Sequence, residues 1–332
     1  MLQPPPLKHA LRYPVTVSVS AAAIVVTAMW WLGQNIEGLL MNGRVWADGE
    51  LWRALTSTLP HVNIFHLAFN LYWFWTFGAL VEQVFGHLRC AMIFLLLAFV
   101  SMLAEFTFFT GGAGLSGVGY GLWGMLWVLE QRDPRFAGVV DRQTSQMFIG
   151  WFFLCILLTV TNVMPVANVA HGAGAATGAL LGLAASSEGV LKWKSCAGLL
   201  VAAILALAGS TVFWPWVNLS ADAEPEVEHA GLEALEQGNF PRAVKLLETS
   251  THMRGAPARA WYNLGVAYER QQNYDEALTA FEQAAQMPDG DSEMQKAAEN
   301  MKNIVRGNGQ PWRELQSGSN TTPKVIGSQT NQ

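Results

Sequence analysis

Gly114-Leu115-Ser116-Gly117-Val118-Gly119-Tyr120-Gly121 opens an apolar run that continues to about Leu129. A serine hydroxyl set in such a run costs roughly 2–7 kcal/mol if it finds no partner, and each glycine weakens a helix by roughly 1 kcal/mol. Glycine also removes side-chain bulk, so a neighbouring helix or peptide backbone can come close. The stretch predicts a helix built to be approached, with Ser116 at the border of the contact.

The surroundings are those of a membrane protein. Of the 332 residues, 51% are hydrophobic and only 14% charged, against about 25% charged in a soluble domain. A spanning helix needs about 20 mostly apolar residues, and seven runs qualify: Val15–Leu32, Ile64–Phe85, Ala91–Thr110, Leu115–Leu129, Met147–Met164, Asn168–Ala185 and Cys196–Val217. The fourth is short, and the fourth and sixth are glycine-rich. The loop from Gly33 to Asn63 carries Trp46 and Trp52 and is expected to rest in the membrane interface, where tryptophan is favoured.

Charges are sparse through residue 220 and dense from Glu224 to Arg313. This predicts a tail over 1–14, a seven-span membrane domain over 15–220, a soluble domain over 221–306 and a disordered Asn/Gln/Ser/Gly-rich tail over 307–332. The net charge of −5 implies no nucleic-acid partner. Cys90, Cys155 and Cys196, odd in number and in or beside apolar runs, read as buried thiols. The first run lacks a convincing cleavage site and reads as a span, not a signal peptide.

Lys8 and Arg12 precede the first span, and Arg89, Arg132, Arg135, Arg142, Lys192 and Lys194 fall in alternate loops on the same side. Positive residues mark the inner face, so the N-terminus is expected inside and, after seven spans, the C-terminal domain outside. With only two basic residues ahead of the first span, a bacterial inner membrane is favoured over a mitochondrial one. The second, fourth and sixth spans then all start at the outer face. Their first turns bring His66 and Asn70, Ser116, and His171 to one depth.

Serine becomes a nucleophile when a base takes its proton, and histidine is the commonest base. At about 100° per residue, His171, Gly174, Gly178 and Gly182 form one narrow stripe, as do Gly117, Gly121 and Gly124. Two such stripes pack closely in lipid and would bring Ser116 to His171 as a catalytic pair. Tyr120, one turn after Ser116, would hold the imidazole by stacking. His66 and Asn70, four apart on one helical face, suit an oxyanion hole together with the Ser116 amide. The bland alternative is a glycine-packed transporter or scaffold whose serine and histidine merely bond each other. The three histidines lack a carboxylate at their depth, so neither a metal nor any other cofactor is expected. Glu82 reads as a structural residue bonded within the bundle. Glu105 has no nameable partner and is expected to face the interface.

From about Gly49 to Ala185 the chain resembles the rhomboid intramembrane serine proteases. The resemblance rests on Trp52-Arg53, the spacing of His61, His66 and Asn70, then Gly78, Glu82 and Gly86, then Gly114-x-Ser116-Gly117 with Tyr120, and Ala170-His171 with Gly174 and Gly178. It implies an all-α, polytopic bundle of six core spans, here with one more. It also implies a Ser116 nucleophile, a His171 base and an oxyanion hole from His66, Asn70 and the Ser116 amide, with Gly114, Gly117 and His61 in support. Transmembrane segments of other proteins are the implied substrates.

Past Ala221, Trp261, Leu264, Gly265, Tyr268, Tyr274, Ala277, Phe281 and Ala284 follow tetratricopeptide spacing, and Gly231, Phe240, Ala243 and Leu247 repeat it one period earlier. Two helical repeats, near Pro225–Pro257 and Ala258–Asp291, are expected, with a capping helix near Ser292–Arg306. Such a domain offers a surface to a peptide or protein partner. Protease and non-catalytic membrane adaptor for client helices are the two readings carried forward.

Overall fold

The computed structural model describes residues 2–307; the expected disordered tail, apart from Gly307, lies outside them. Contacts divide the chain into one compact unit ending at Asn218 and a second beginning at Leu219. Every regular element among the described residues is a helix.

The first unit contains α1 (Pro14–Trp31), α2 (Ile64–Phe85), α3 (His87–Phe108), α4 (Ser116–Arg132), α5 (Arg142–Val160), α6 (Asn168–Ser186) and α7 (Gly189–Ala208). After α7 a π turn, Gly209–Phe213, leads into a last turn, Trp214–Val217. Local chemistry sets several of these limits. The Asn63 side chain accepts from the amide of His66 and starts α2. Gly86, at φ 80°, ends α2 and turns directly into α3. Asp141 caps α5 through the amide of Thr144, which draws that helix back to Arg142, ahead of the apolar run at Met147.

Six of these helices are long and apolar enough to cross a membrane. The remaining apolar run, the short fourth one, forms α4, which has 17 residues, about 25 Å of helix. It is short because it starts at Ser116 itself and leaves 111–115 as loop. Of the six, α3 is the most buried and α5 the least. Phe74 and Phe77 of α2, Leu97 of α3, and Leu122 and Met125 of α4 fill the core between them.

The closest approach in the unit is between α4 and α6. A Cβ built on Gly174 would overlap the carbonyl of Gly117, one on Gly178 that of Gly121, and one on Gly182 that of Met125. The pairs advance in step, so the helices run parallel with their first turns side by side. Hydrogen at these positions is what lets two backbones meet.

Glu82, 2% exposed, is bonded within the bundle. It accepts from the amides of Val15 and Thr16 at 3.0 and 2.9 Å and from Thr16 Oγ1 at 2.7 Å, capping the start of α1, and His87 Nδ1 lies 2.7 Å away. The cysteines are free thiols: Cys90 and Cys155 are buried, but Cys196 is exposed, a correction that follows from its place on the outward face of the peripheral α7.

The second unit comprises α8 (Ala223–Glu236), α9 (Phe240–His252), α10 (Ala258–Arg270), α11 (Tyr274–Gln286) and α12 (Ser292–Val305). Leu247 packs against Gly231, and Phe281 against Gly265, one period apart, with a built Cβ 2.7 Å from either side chain. The turn between helices needs a left-handed residue, supplied by Gly238 in the first hairpin and by Gln272 in the second. Polar groups join the repeats: Glu228, fully buried, accepts from Arg259 and from Asn263 Nδ2 at 2.9 Å each.

Candidate active site

Ser116 is the first residue of α4 and is half-buried, so its Oγ sits where the loop gives way to helix. His171, 3% exposed, lies in the first turn of α6. The parallel glycine contact brings these turns together, and His171 Nε2 stands 2.8 Å from Ser116 Oγ. For the hydroxyl to donate, the imidazole proton must sit on Nδ1. Nδ1 is buried with no hydrogen-bond partner among the described residues. Among the described residues the pair thus has no third, orienting acceptor. The Tyr120 ring instead stacks on the imidazole, with centroids 4.6 Å apart and planes 24° from parallel. Tyr120 is fixed in turn by donating its hydroxyl to the Phe148 carbonyl at 3.1 Å.

The loop ahead of Ser116 is pinned by His61, which is fully buried. Its Nδ1 donates to the Leu59 carbonyl at 2.9 Å, leaving Nε2 to accept from the amide of Leu115 at 3.3 Å. Gly114 adopts φ 107°, open to glycine, and a Cβ there would lie 2.7 Å from the His66 ring. Gly117 makes room for Ser101 Oγ, 2.7 Å from its built Cβ. The His66 ring meets that of His61 edge-on at 4.8 Å and lies near enough to His171 to interact electrostatically.

Asn70 is buried, and its Nδ2 donates to the His66 carbonyl at 3.0 Å. One N–H of that amide is therefore spoken for and one is left. Neither His66 nor Asn70 bonds directly to Ser116 or His171 among the described residues. The Ser116 amide belongs to the first turn of α4, whose N–H groups have no partner within their own helix.

Glu105 was expected at the interface, and the structure corrects this. It is buried, and its Oε2 accepts from the amide of Ala170 at 2.9 Å. Thr159, which no sequence pattern marks, also serves the site: its Oγ1 accepts from Asn168 Nδ2 at 2.8 Å and from the amide of Val166 at 3.1 Å, tying the end of α5 to the start of α6. No group of three or more potential metal ligands occurs among the described residues.

Comparison with known sequences bears on this geometry. Residues 48–188 match the rhomboid domain, and residues 230–292 match a tetratricopeptide repeat. Residues 48–188 are a rhomboid domain. The chain is homologous to the rhomboid protease GlpG of Pectobacterium atrosepticum, with 32% identity over 182 residues that cover 51% of this chain and 61% of the relative. For rhomboid protease GlpG of an Enterobacter species the values are 31% over 185 residues, covering 52% and 63%. The chain thus spans about three fifths of the length of these curated relatives. With a rhomboid domain and six crossing-length helices, the protein is an integral membrane protein. The short α4, with its buried glycine face, and every polar residue of the site lie inside the rhomboid domain.

Proposed function

We propose that this protein is an intramembrane serine endopeptidase that cleaves transmembrane segments of other proteins with a Ser116–His171 dyad. The observation that carries the reading is the 2.8 Å approach of His171 Nε2 to Ser116 Oγ at the meeting of two helix starts. A substrate helix enters from the bilayer and unwinds locally, because an amide inside an intact helix is shielded by its own hydrogen bond. Ser116 Oγ attacks the exposed carbonyl carbon as its proton passes to His171 Nε2. His171 then returns that proton to the leaving amine, and water hydrolyses the acyl-enzyme by the same proton route. Charge that develops on the carbonyl oxygen is met by His66, by the free N–H of Asn70 and by the Ser116 amide. With no carboxylate on Nδ1 among the described residues, the Tyr120 ring face steadies the imidazolium.

Counting α4 as a crossing, the basic residues favour a cytoplasmic N-terminus and a periplasmic or extracellular repeat unit, in a bacterial inner membrane. The tetratricopeptide-type repeats then present a docking surface for a peptide or protein partner. The test is labelling by a serine-reactive fluorophosphonate. The protein is expected to label, and Ser116→Ala and His171→Ala to lose the label while remaining folded. A folded protein that does not label favours the non-catalytic adaptor.

A further inference from the structure

The last turn of α3 is held on two sides. On one, Glu105 accepts from the amide of Ala170 at 2.9 Å, and the amide of Val169 bonds the same carboxyl. These donors belong to the first turn of α6 and have no partner in their own helix. Ala170 directly precedes His171, so a slide of that turn carries the imidazole with it.

On the other side stands the end of α7. Asn218, the residue after its last turn, donates from Nδ2 to the carbonyls of Phe106 and Phe109 at 2.9 Å each. Trp214 is fully buried and stacks on Phe106, with centroids 4.9 Å apart and planes 12° from parallel. Its other neighbour is Trp46 of the first loop, at 6.1 Å. Gly209 lets α7 come this close, since a Cβ there would lie 2.6 Å from Thr107 Oγ1. The π turn that follows resets the phase of the helix, so that Trp214 turns inward while Trp216 stays exposed.

We propose that Glu105 is a positioning residue for His171 and that Asn218 and Trp214 hold it in place, which makes the seventh helix a working part of the dyad. The inference rests on the protease reading of the same site. Its test uses the full chain in proteoliposomes, with a single-span reporter carrying Gly and Pro near its outer end. Glu105→Ala removes the acceptor and is expected to lower kcat roughly ten- to hundredfold with KM unchanged. Glu105→Gln keeps an acceptor oxygen for the Ala170 amide and is expected to stay within about threefold of the parent. Asn218→Ala is expected to lower kcat in the same sense. The double variant Glu105→Ala/Asn218→Ala should be no slower than the slower single, because both release one turn. Should Glu105→Ala fail to fold, Glu105→Asp, one methylene short of the amide, carries the same expectation.

An unchanged kcat in Glu105→Ala, equal losses in the Gln and Ala variants, or additive effects in the double variant overturns the proposal. So does a lowered unfolding midpoint with kcat intact, which marks a purely structural role. If the parent and Ser116→Ala cleave the reporter alike, the protease reading fails instead.

Discussion

Asn70 has one amide N–H engaged by the His66 carbonyl and one remaining. If that second N–H stabilises the oxyanion, removing it is felt in the transition state and hardly at all in substrate binding. Asn70→Ala is therefore expected to lower kcat by about 10²–10³, with KM little changed, in steady-state cleavage of the reporter. An unchanged rate removes Asn70 from the hole. His61 acts one step further back. Its Nε2 accepts from the amide of Leu115, the residue before Ser116, so it sets the loop and not the charge. His61 and Glu105 are placed alike: one grips the backbone one residue ahead of Ser116, the other one residue ahead of His171.

At the scale of elements, the site depends on two helices whose backbones touch. Gly178→Ala places a methyl group against the Gly121 carbonyl, which no side-chain adjustment relieves. The variant is expected to lose about 1–3 kcal/mol of stability, read from unfolding in mild detergent, and to lose activity beyond that as Ser116 and His171 part. An equivalent change at Gly119, where a built Cβ meets nothing within 4 Å, should be silent in both measurements. These stripes were legible because glycines at helical spacing in an apolar run have few other uses. Stacking of Tyr120 on His171 was legible for the same reason, one turn from Ser116 on the same face. Glu105 was not, because its partners are backbone amides on another helix, and an amide leaves no mark in a sequence. The start of α4 was legible to within one residue, whereas its end was not: the helix runs past the apolar Leu129 to Arg132. Nothing in the apolar run of α7 announced its π turn.

For the whole molecule, the two units answer to different solvents. The repeat unit keeps Glu269 buried, with Oε2 unpartnered, and burial pushes that carboxyl up to about 7 against the opposing pull of Arg270. A carboxyl whose folded value lies above its unfolded one stabilises the fold most below the unfolded value, near 4.5, and that contribution is lost as pH rises through about 7. Glu269→Gln is therefore expected to raise the unfolding midpoint of the repeat unit at pH 8 and to leave it nearly unchanged at pH 4. The gain is at most about 3 kcal/mol, and thermal melts across that pH range check it. Melts of parent and variant that run parallel from pH 4 to 8 would assign Glu269 no such cost. The membrane unit makes the stronger claim, that two side chains from separate helices act as one hydrolytic device within the bilayer. The most direct measurement reconstitutes the parent and Ser116→Ala with a single-span reporter and maps the new termini by mass spectrometry. One cut within the reporter's transmembrane segment, present with the parent and absent with the variant, is the expected result; a cut outside the membrane segment, or one that survives in Ser116→Ala, contradicts the account.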